Sequence, residues 1–171
     1  NNAAVLAEAI DSILDQTFGQ FEFLIVNDGS TDNSPAILDA SAARDARVRV
    51  FHRPNSGLIA GLNFLLTQAR GALVARMDGD DVALPERFAR QVAYFDGHPE
   101  CGVLGTNTHE IDDAGTVTEC TDFHALDHEG IVAALRQASP FCHSSVMMRR
   151  DVAVQAGGYR AQGDGLGYDL V

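Results

Sequence analysis

Three carboxylates, Asp78, Asp80 and Asp81, fall within the short run Ala75-Arg76-Met77-Asp78-Gly79-Asp80-Asp81. Each charge disfavours ionisation of the next, so the cluster calls for a compensating cation. A hard divalent ion, Mn²⁺ or Mg²⁺, takes oxygen ligands and pairs with substrate phosphates. Gly79 lets the backbone come close to a ligand. The same residues also read as an acidic turn on a solvated loop, and the cluster alone leaves both readings open.

A second polar turn, Asn27-Asp28-Gly29-Ser30-Thr31-Asp32, follows the apolar run Phe21–Val26. His143 stands beside Ser144 and Ser145. It reads either as a metal ligand or diphosphate donor, or as a packed histidine satisfied by backbone. Arg149 and Arg150 read as a phosphate contact or as a solvated strand end.

The elements that must position these groups follow from periodicity. Val5, Leu6, Ala9, Ile10, Ile13 and Leu14 repeat at helical spacing, which predicts a helix over 3–16 with Asn1 or Asn2 as its cap. Residues 21–26 read as a strand buried on both faces. A helix follows over 34–44 with Pro35 in its first turn, then a strand over 48–51 and a helix over 57–69. Residues 72–75 form an apolar strand that delivers the acidic cluster at its carboxyl end. A helix over 84–95, a strand over 101–106 and a hairpin about Asp112-Asp113-Ala114-Gly115 come next. Asp127 caps a helix over 128–137, 144–148 is a strand, and 151–156 is a short helix ended by Gly157-Gly158. This alternation predicts one α/β domain over 1–171, with a mixed, mainly parallel sheet flanked by helices. In such sheets ligands sit beyond the carboxyl ends of the strands, so both polar turns can face one crevice.

Composition narrows the chemistry. The chain of 171 residues carries a net charge of −12, which argues against a nucleic-acid surface and an anionic membrane face. All 12 basic residues are arginine, which excludes a lysine Schiff base or P-loop lysine within this chain. Cys101, Cys120 and Cys142 form no C-x-x-C pair and read as buried, reduced thiols of a cytoplasmic protein. No apolar run reaches the length of a membrane span. An inner-membrane location would come through the acceptor.

Several ordered motifs together resemble the inverting, nucleotide-sugar-dependent glycosyltransferases of family 2, which have the GT-A fold. They are Ser12-Ile13-Leu14-Asp15-Gln16-Thr17-Phe18, Val26-Asn27-Asp28-Gly29-Ser30-Thr31-Asp32-Asn33-Ser34, and Asn55-Ser56-Gly57 with Asn63. Arg76-Met77-Asp78-Gly79-Asp80-Asp81, Pro85-Glu86-Arg87-Phe88, His143 to Arg150 and Gly157-Gly158-Tyr159 complete the set. The resemblance implies a nucleotide diphosphate sugar as donor, a UDP-sugar being favoured, and a saccharide or lipid-linked acceptor. It places Asp28 at the nucleotide base, with Gly29, Asn55 and Asn63 on the donor. It places Asp80 on Mn²⁺ or Mg²⁺ and Asp78 near the ribose or metal waters, with Asp81 either beside the metal or capping the next segment.

The resemblance also implies a carboxylate base in an acidic pair before a Tyr-Asp-Leu stretch. Tyr168-Asp169-Leu170 is present, but Leu166-Gly167 stands where the pair belongs. Asp164 and Asp169 are the nearby carboxylates, and Asp164 is the nominal base. The family's first strand, expected just before Asn1, and its C-terminal end are expected to lie outside this chain. Two other readings remain: a sugar-nucleotide-binding module without transfer, and a haloacid-dehalogenase-like phosphatase with Asp78 as nucleophile. Against the latter, its motif follows a first strand and it relies on a later lysine.

Overall fold

A computed structural model describes residues 1–112, 114–122, 126–136, 139–161 and 168–170. The chain opens with helix α1, Leu6–Leu14, which buries Leu6, Ala9, Ile10 and Ile13. It is shorter than its periodicity suggests, and neither Asn1 nor Asn2 caps it through a side chain. Val5 is the N-cap, and the Asn2 carbonyl accepts from the Val5 and Leu6 amides at 3.0 and 2.9 Å. Both asparagines serve the site instead, as described below.

Strand β1, Phe23–Asp28, leads through the turn at Gly29 to α2, Ser34–Arg44, and β2, Val48–Arg53. β1 and β2 pair in parallel, Phe23 opposite Val48 and Asp28 opposite Arg53. Helix α3, Leu58–Gln68, returns the chain to β3, Leu73–Ala75. Then come α4, Arg87–Gly97, and β4, Val103–Leu104. β5, His109–Ile111, and β6, Val117–Cys120, form the expected hairpin. Its turn is held by Asp112, whose carboxylate accepts from the Ala114 and Thr116 amides at 2.9 Å each, and by Gly115 at φ 77°.

Helix α5, His128–Ala134, is capped as expected by Asp127, which accepts from the Gly130 amide at 2.8 Å. A 3₁₀ turn, His143–Ser145, precedes β7, Met147–Arg149. Helix α6, Arg150–Gln155, and the antiparallel pair β8, Tyr159–Ala161, and β9, Tyr168–Leu170, close the described chain. β7 is the centre of a second sheet, in the order β3-β7-β4 with both neighbours antiparallel.

The architecture is thus mixed α/β, with β1–β2 parallel and the β7 sheet antiparallel. Met148 at the centre of β7 is fully buried with Val146, Leu66, Ala153 and Tyr159. Burying a side chain of this size stabilises the fold by roughly 1.5–3 kcal/mol. A second cluster joins Ile13, Phe88, Phe95 and Met147, tying α1 and α4 to the same strand. Gln16 locks that junction: its amide donates to the Leu84 carbonyl at 2.8 Å and accepts from the Phe88 amide at 3.0 Å.

Arg149 is neither a phosphate contact nor a solvated end. It donates to the carbonyls of Cys101, Phe95 and His98, closing β7 onto the end of α4. The three cysteines are unpaired, as expected, but Cys120 is exposed and the other two are half-buried. Both strands of the β5–β6 hairpin are exposed along their length, so there is no core there to bury Cys120 in.

Candidate functional site

Both polar turns sit at carboxyl ends of strands, and the first residues of the chain join them. The Asn1 carboxamide oxygen accepts from the Thr31 amide at 2.8 Å. The Asn2 amide donates to Ser34 Oγ at 3.3 Å, and Asp32 accepts from the Ala3 and Ser34 amides at 3.0 Å each. On the other side, a methyl group placed on Gly79 would lie 3.6 Å from the Asn2 carboxamide nitrogen. Asn2 therefore lies between the β1 turn and the acidic turn, and the two motifs share one mouth.

Asp28 ends β1. Its Oδ1 accepts from the Ser56 amide at 2.9 Å and the Ser56 hydroxyl at 3.0 Å, and its Oδ2 accepts from the Gly57 amide at 2.8 Å. Burial pushes this carboxyl up, but the Ser56 and Gly57 donors and the Arg53 charge together hold it below the usual carboxylate range. Gly29, at φ 79°, lies so close to Asn55 that a Cβ would fall 2.8 Å from its amide nitrogen. The β1 turn and the 55–57 loop are thus one tight unit, with Gly29 and Asn55 at its centre.

The acidic turn is organised by a buried cation. Arg76 is 6% exposed and forms an ion pair with Asp78 Oδ1. Its Nη1 donates to Ser144 Oγ at 2.9 Å. That hydroxyl donates to Asp78 Oδ2 at 3.1 Å and accepts from the Asp78 amide at 3.2 Å. Both oxygens of Asp78 are therefore engaged by the protein.

Arg87 lies behind this group, donating to the Arg76 carbonyl at 2.7 Å, and burial pushes its guanidinium down to about 10. Carboxylate oxygens of Asp78, Asp80 and Asp81 all lie within 4.8 Å of one another. Among the described residues Asp80 and Asp81 make no side-chain hydrogen bond or ion pair, so their charge is not met by the protein as Asp78's is.

His143 lies on the 3₁₀ turn beside Ser144, its ring 5.5 Å from that of Tyr159. Burial, with the nearby Arg76 charge, pushes it down to about 4 against the opposing pull of Asp78. It is a neutral imidazole at pH 7 and does not belong to the carboxylate cluster. Asn63 spends both ends of its amide on Tyr159: Nδ2 donates to the carbonyl at 2.9 Å and Oδ1 accepts from the amide at 2.8 Å. It braces α3 against β8.

Asp169 lies on β9, opposite Arg160 of β8, while Asp164 lies outside the described residues. Arg76, Ser144, Asn1 and Asn2 were not singled out as site residues by sequence reasoning. An arginine at a strand end just ahead of three carboxylates was the available signal for the first.

The family profile described as Glycosyl transferase family 2 matches residues 1–157. The chain is 35% identical over 163 residues to the putative glycosyltransferase EpsE of Bacillus subtilis, covering 94% of this chain and 57% of that protein. It is 35% identical over 159 residues to the amylovoran biosynthesis glycosyltransferase AmsE of Erwinia amylovora, covering 91% and 58%. The chain therefore spans little more than half the length of these relatives.

Among solved structures, it resembles a mannosyltransferase of Pyrobaculum calidifontis in complex with GDP-Man and Mn²⁺. The TM-score is 0.71 at 20% identity, covering 96% of this chain and 47% of that one. It also resembles residues 1–349 of S. aureus TarS in complex with UDP-GlcNAc, with a TM-score of 0.68 at 23% identity, covering 89% and 43%. These likenesses concern the fold.

Proposed function

Because the chain belongs to glycosyl transferase family 2, we propose that it carries the donor half of a metal-dependent inverting glycosyltransferase. It takes a sugar from a nucleotide diphosphate sugar, a UDP-sugar in the first instance, and passes it to an acceptor hydroxyl. The acceptor is a saccharide or a lipid-linked saccharide in polysaccharide assembly. A lipid-linked acceptor would bring the protein to the inner face of the membrane. The observation that carries this reading is the carboxylate cluster beyond β3, facing the Asp28 turn across Asn2.

The donor set fits a hard cation. It is all oxygen, its atoms lie within 4.8 Å of one another, and among the described residues Asp80 and Asp81 make no side-chain hydrogen bond or ion pair. Asp80 and Asp81 would hold Mn²⁺ or Mg²⁺, with Asp78 beside them and fixed by Arg76 and Ser144. Such an ion, when bound, offsets the charge developing on the leaving diphosphate.

Asp28 keeps one of its four acceptor sites beyond the three hydrogen bonds it receives, enough for an imide donor on the base. Gly29 and Asn55 form the wall beside it. Asn63 acts through the backbone of Tyr159, by holding α3 on β8. His143, uncharged, can donate or accept one hydrogen bond without adding positive charge to the site.

The acceptor hydroxyl loses its proton to a carboxylate as its oxygen bonds the anomeric carbon. The bond from that carbon to the diphosphate oxygen breaks on the opposite face. Asp164 or Asp169 is the base in this reading. The test is incubation with UDP-sugars and Mn²⁺, following UDP release and the anomeric configuration of the product by NMR. An inverted product supports the assignment. Donor binding without release of UDP from any donor would make the chain a binding module. Hydrolysis of a generic phosphate ester, abolished by Asp78→Asn, would favour a phosphatase.

A further inference from the structure

Beside the β1 turn lies a histidine–carboxylate pair that the donor reading leaves unused. His52, near the end of β2, stands opposite Asn27, the residue ahead of Asp28. Its Nδ1 lies 2.9 Å from Asn27 Nδ2, and its Nε2 lies 2.9 Å from Asp39 Oδ1 on α2. Asn27 Oδ1 accepts from the Ser30 amide at 3.0 Å, an Asx-type bond that shapes the turn.

The directions of these bonds follow from one fixed donor. A backbone N–H can only donate, so the Asn27 oxygen faces Ser30 and its N–H₂ faces His52. His52 Nδ1 must then accept, which puts the ring proton on Nε2, where it is donated to Asp39. This relay closes only around a neutral imidazole. A second ring proton would sit on Nδ1, against the Asn27 N–H₂. Asn27 is 7% exposed, so water does not readily take over an unmet amide there. Turning the Asn27 amide over would offer its oxygen to His52, but would set its N–H₂ against the Ser30 N–H. Either way the turn loses a bond.

Other charges around this pair are engaged elsewhere. Side chains alternate along a strand, and Ile25 and Val50 pack with Leu38 of α2 on the face that carries Asn27 and His52. Arg49 and Arg53 face the other way, over Phe51 and Phe64, as does Asp28, bonded to Ser56 and Gly57. Around α2, Arg44 pairs with Asp11 of α1, Asp45 pairs with Arg47, and Asp32 accepts from the Ala3 and Ser34 amides. Asp39 is the carboxylate that meets the ring. Both are exposed, so protons reach them from solvent.

We propose that Asn27 is a positioning residue of the nucleotide-binding turn, oriented by His52 and Asp39, and that the turn keeps its donor-binding form only while His52 is uncharged. The ligand of the turn comes from the donor reading above, whereas the relay stands on its own bonds.

NMR and calorimetry on the full chain, from about pH 8 to about pH 5 where imidazoles titrate, test this. His143, pushed down to about 4, and Asp28, held below the usual carboxylate range, titrate below that window. In the nucleotide-free chain, the Ser30 amide and Asn27 side-chain amide resonances are expected to move with the midpoint of the His52 ring. They are expected to stay still in His52→Asn, whose amide oxygen takes the place of Nδ1 at every pH. With Mn²⁺ present, UDP-glucose is expected to bind about fivefold more weakly at the acid end, the worth of one hydrogen bond, and equally across the window in His52→Asn. Asn27→Asp, which can accept from Ser30 and from a charged His52 together, is expected to reverse the sign of the pH dependence. The proposal is overturned if the Ser30 resonance does not follow His52, or if His52→Asn keeps the pH dependence of the native chain. If UDP-glucose binds at no pH, the donor reading fails, and the Ser30 titration alone upholds or overturns the relay.

Discussion

Replacing Ser144 with alanine should cost about 2–3 kcal/mol of folding stability. Ser144 Oγ sits in three hydrogen bonds, two of them with charged partners: Arg76 Nη1 at 2.9 Å and Asp78 Oδ2 at 3.1 Å. A hydrogen bond to a charged group contributes roughly 1.5–3 kcal/mol, and these two share one hydroxyl, so their losses do not add in full. Arg76 is 6% exposed and its Nε has no hydrogen-bond partner among the described residues, so a second unmet guanidinium N–H is not readily rehydrated. The third bond, from the Asp78 amide, is long at 3.2 Å and adds little.

The assay is urea denaturation. The midpoint should fall while the slope stays constant, since no large surface changes in either state. A double-mutant cycle with Asp78→Asn should show coupling of about 1 kcal/mol or more. A loss below about 0.5 kcal/mol with no coupling would refute the idea that Ser144 and Arg76 together fix Asp78.

Three further outcomes follow from the geometry. His143, pushed down to about 4 from 6.5, binds a proton in the unfolded chain before it does so in the fold. Stability is therefore complete above pH 6.5 and declines as pH falls toward 4, and His143→Gln should flatten that part of a pH–stability curve. Gly158→Ala should destabilise strongly. Its φ is 73° and a Cβ would stand 2.4 Å from Asn63 Oδ1, so thermal unfolding should shift down by more than for Gly97→Ala, where nothing lies within 4 Å. Asp28→Asn puts an N–H₂ against the Ser56 or Gly57 donors. It should weaken nucleotide binding and loosen the 55–57 loop, read as faster amide exchange at Ser56 and Gly57.

Much of this fold was legible in the chain because its elements are local. Helix α2 spans the expected residues, Ser34–Arg44, with Pro35 in its first turn, and the Asp127 cap and the Asp112–Gly115 turn were readable from side chains acting within four residues. The pairing of β3 with β7 was not legible, because it joins Ala75 to Met147 across two helices, a strand and a hairpin. Periodicity carries no partner information at that range.

The site divides in the same way. Asp78, Asp80 and Asp81 are consecutive enough to be seen as a cluster. Ser144, 66 residues away, which holds the first of them, was visible only as a neighbour of His143. Asn63 was placed on the donor by resemblance, whereas its contacts run to Tyr159, a residue 96 positions on. Asn1 and Asn2 looked like helix caps because they precede a helix. Their side chains instead meet the two site turns, which only the folded chain brings together.

The central claim is that the acidic turn beyond β3 presents a divalent ion to a nucleotide diphosphate held by the Asp28 turn. Calorimetry of a UDP-sugar with and without Mn²⁺, on the native chain and on Asp80→Ala, tests it most directly. The account predicts binding that requires Mn²⁺ and weakens by about tenfold or more, at least 1.4 kcal/mol, in the variant. Equally strong binding without metal, or an unchanged affinity in Asp80→Ala, would contradict it.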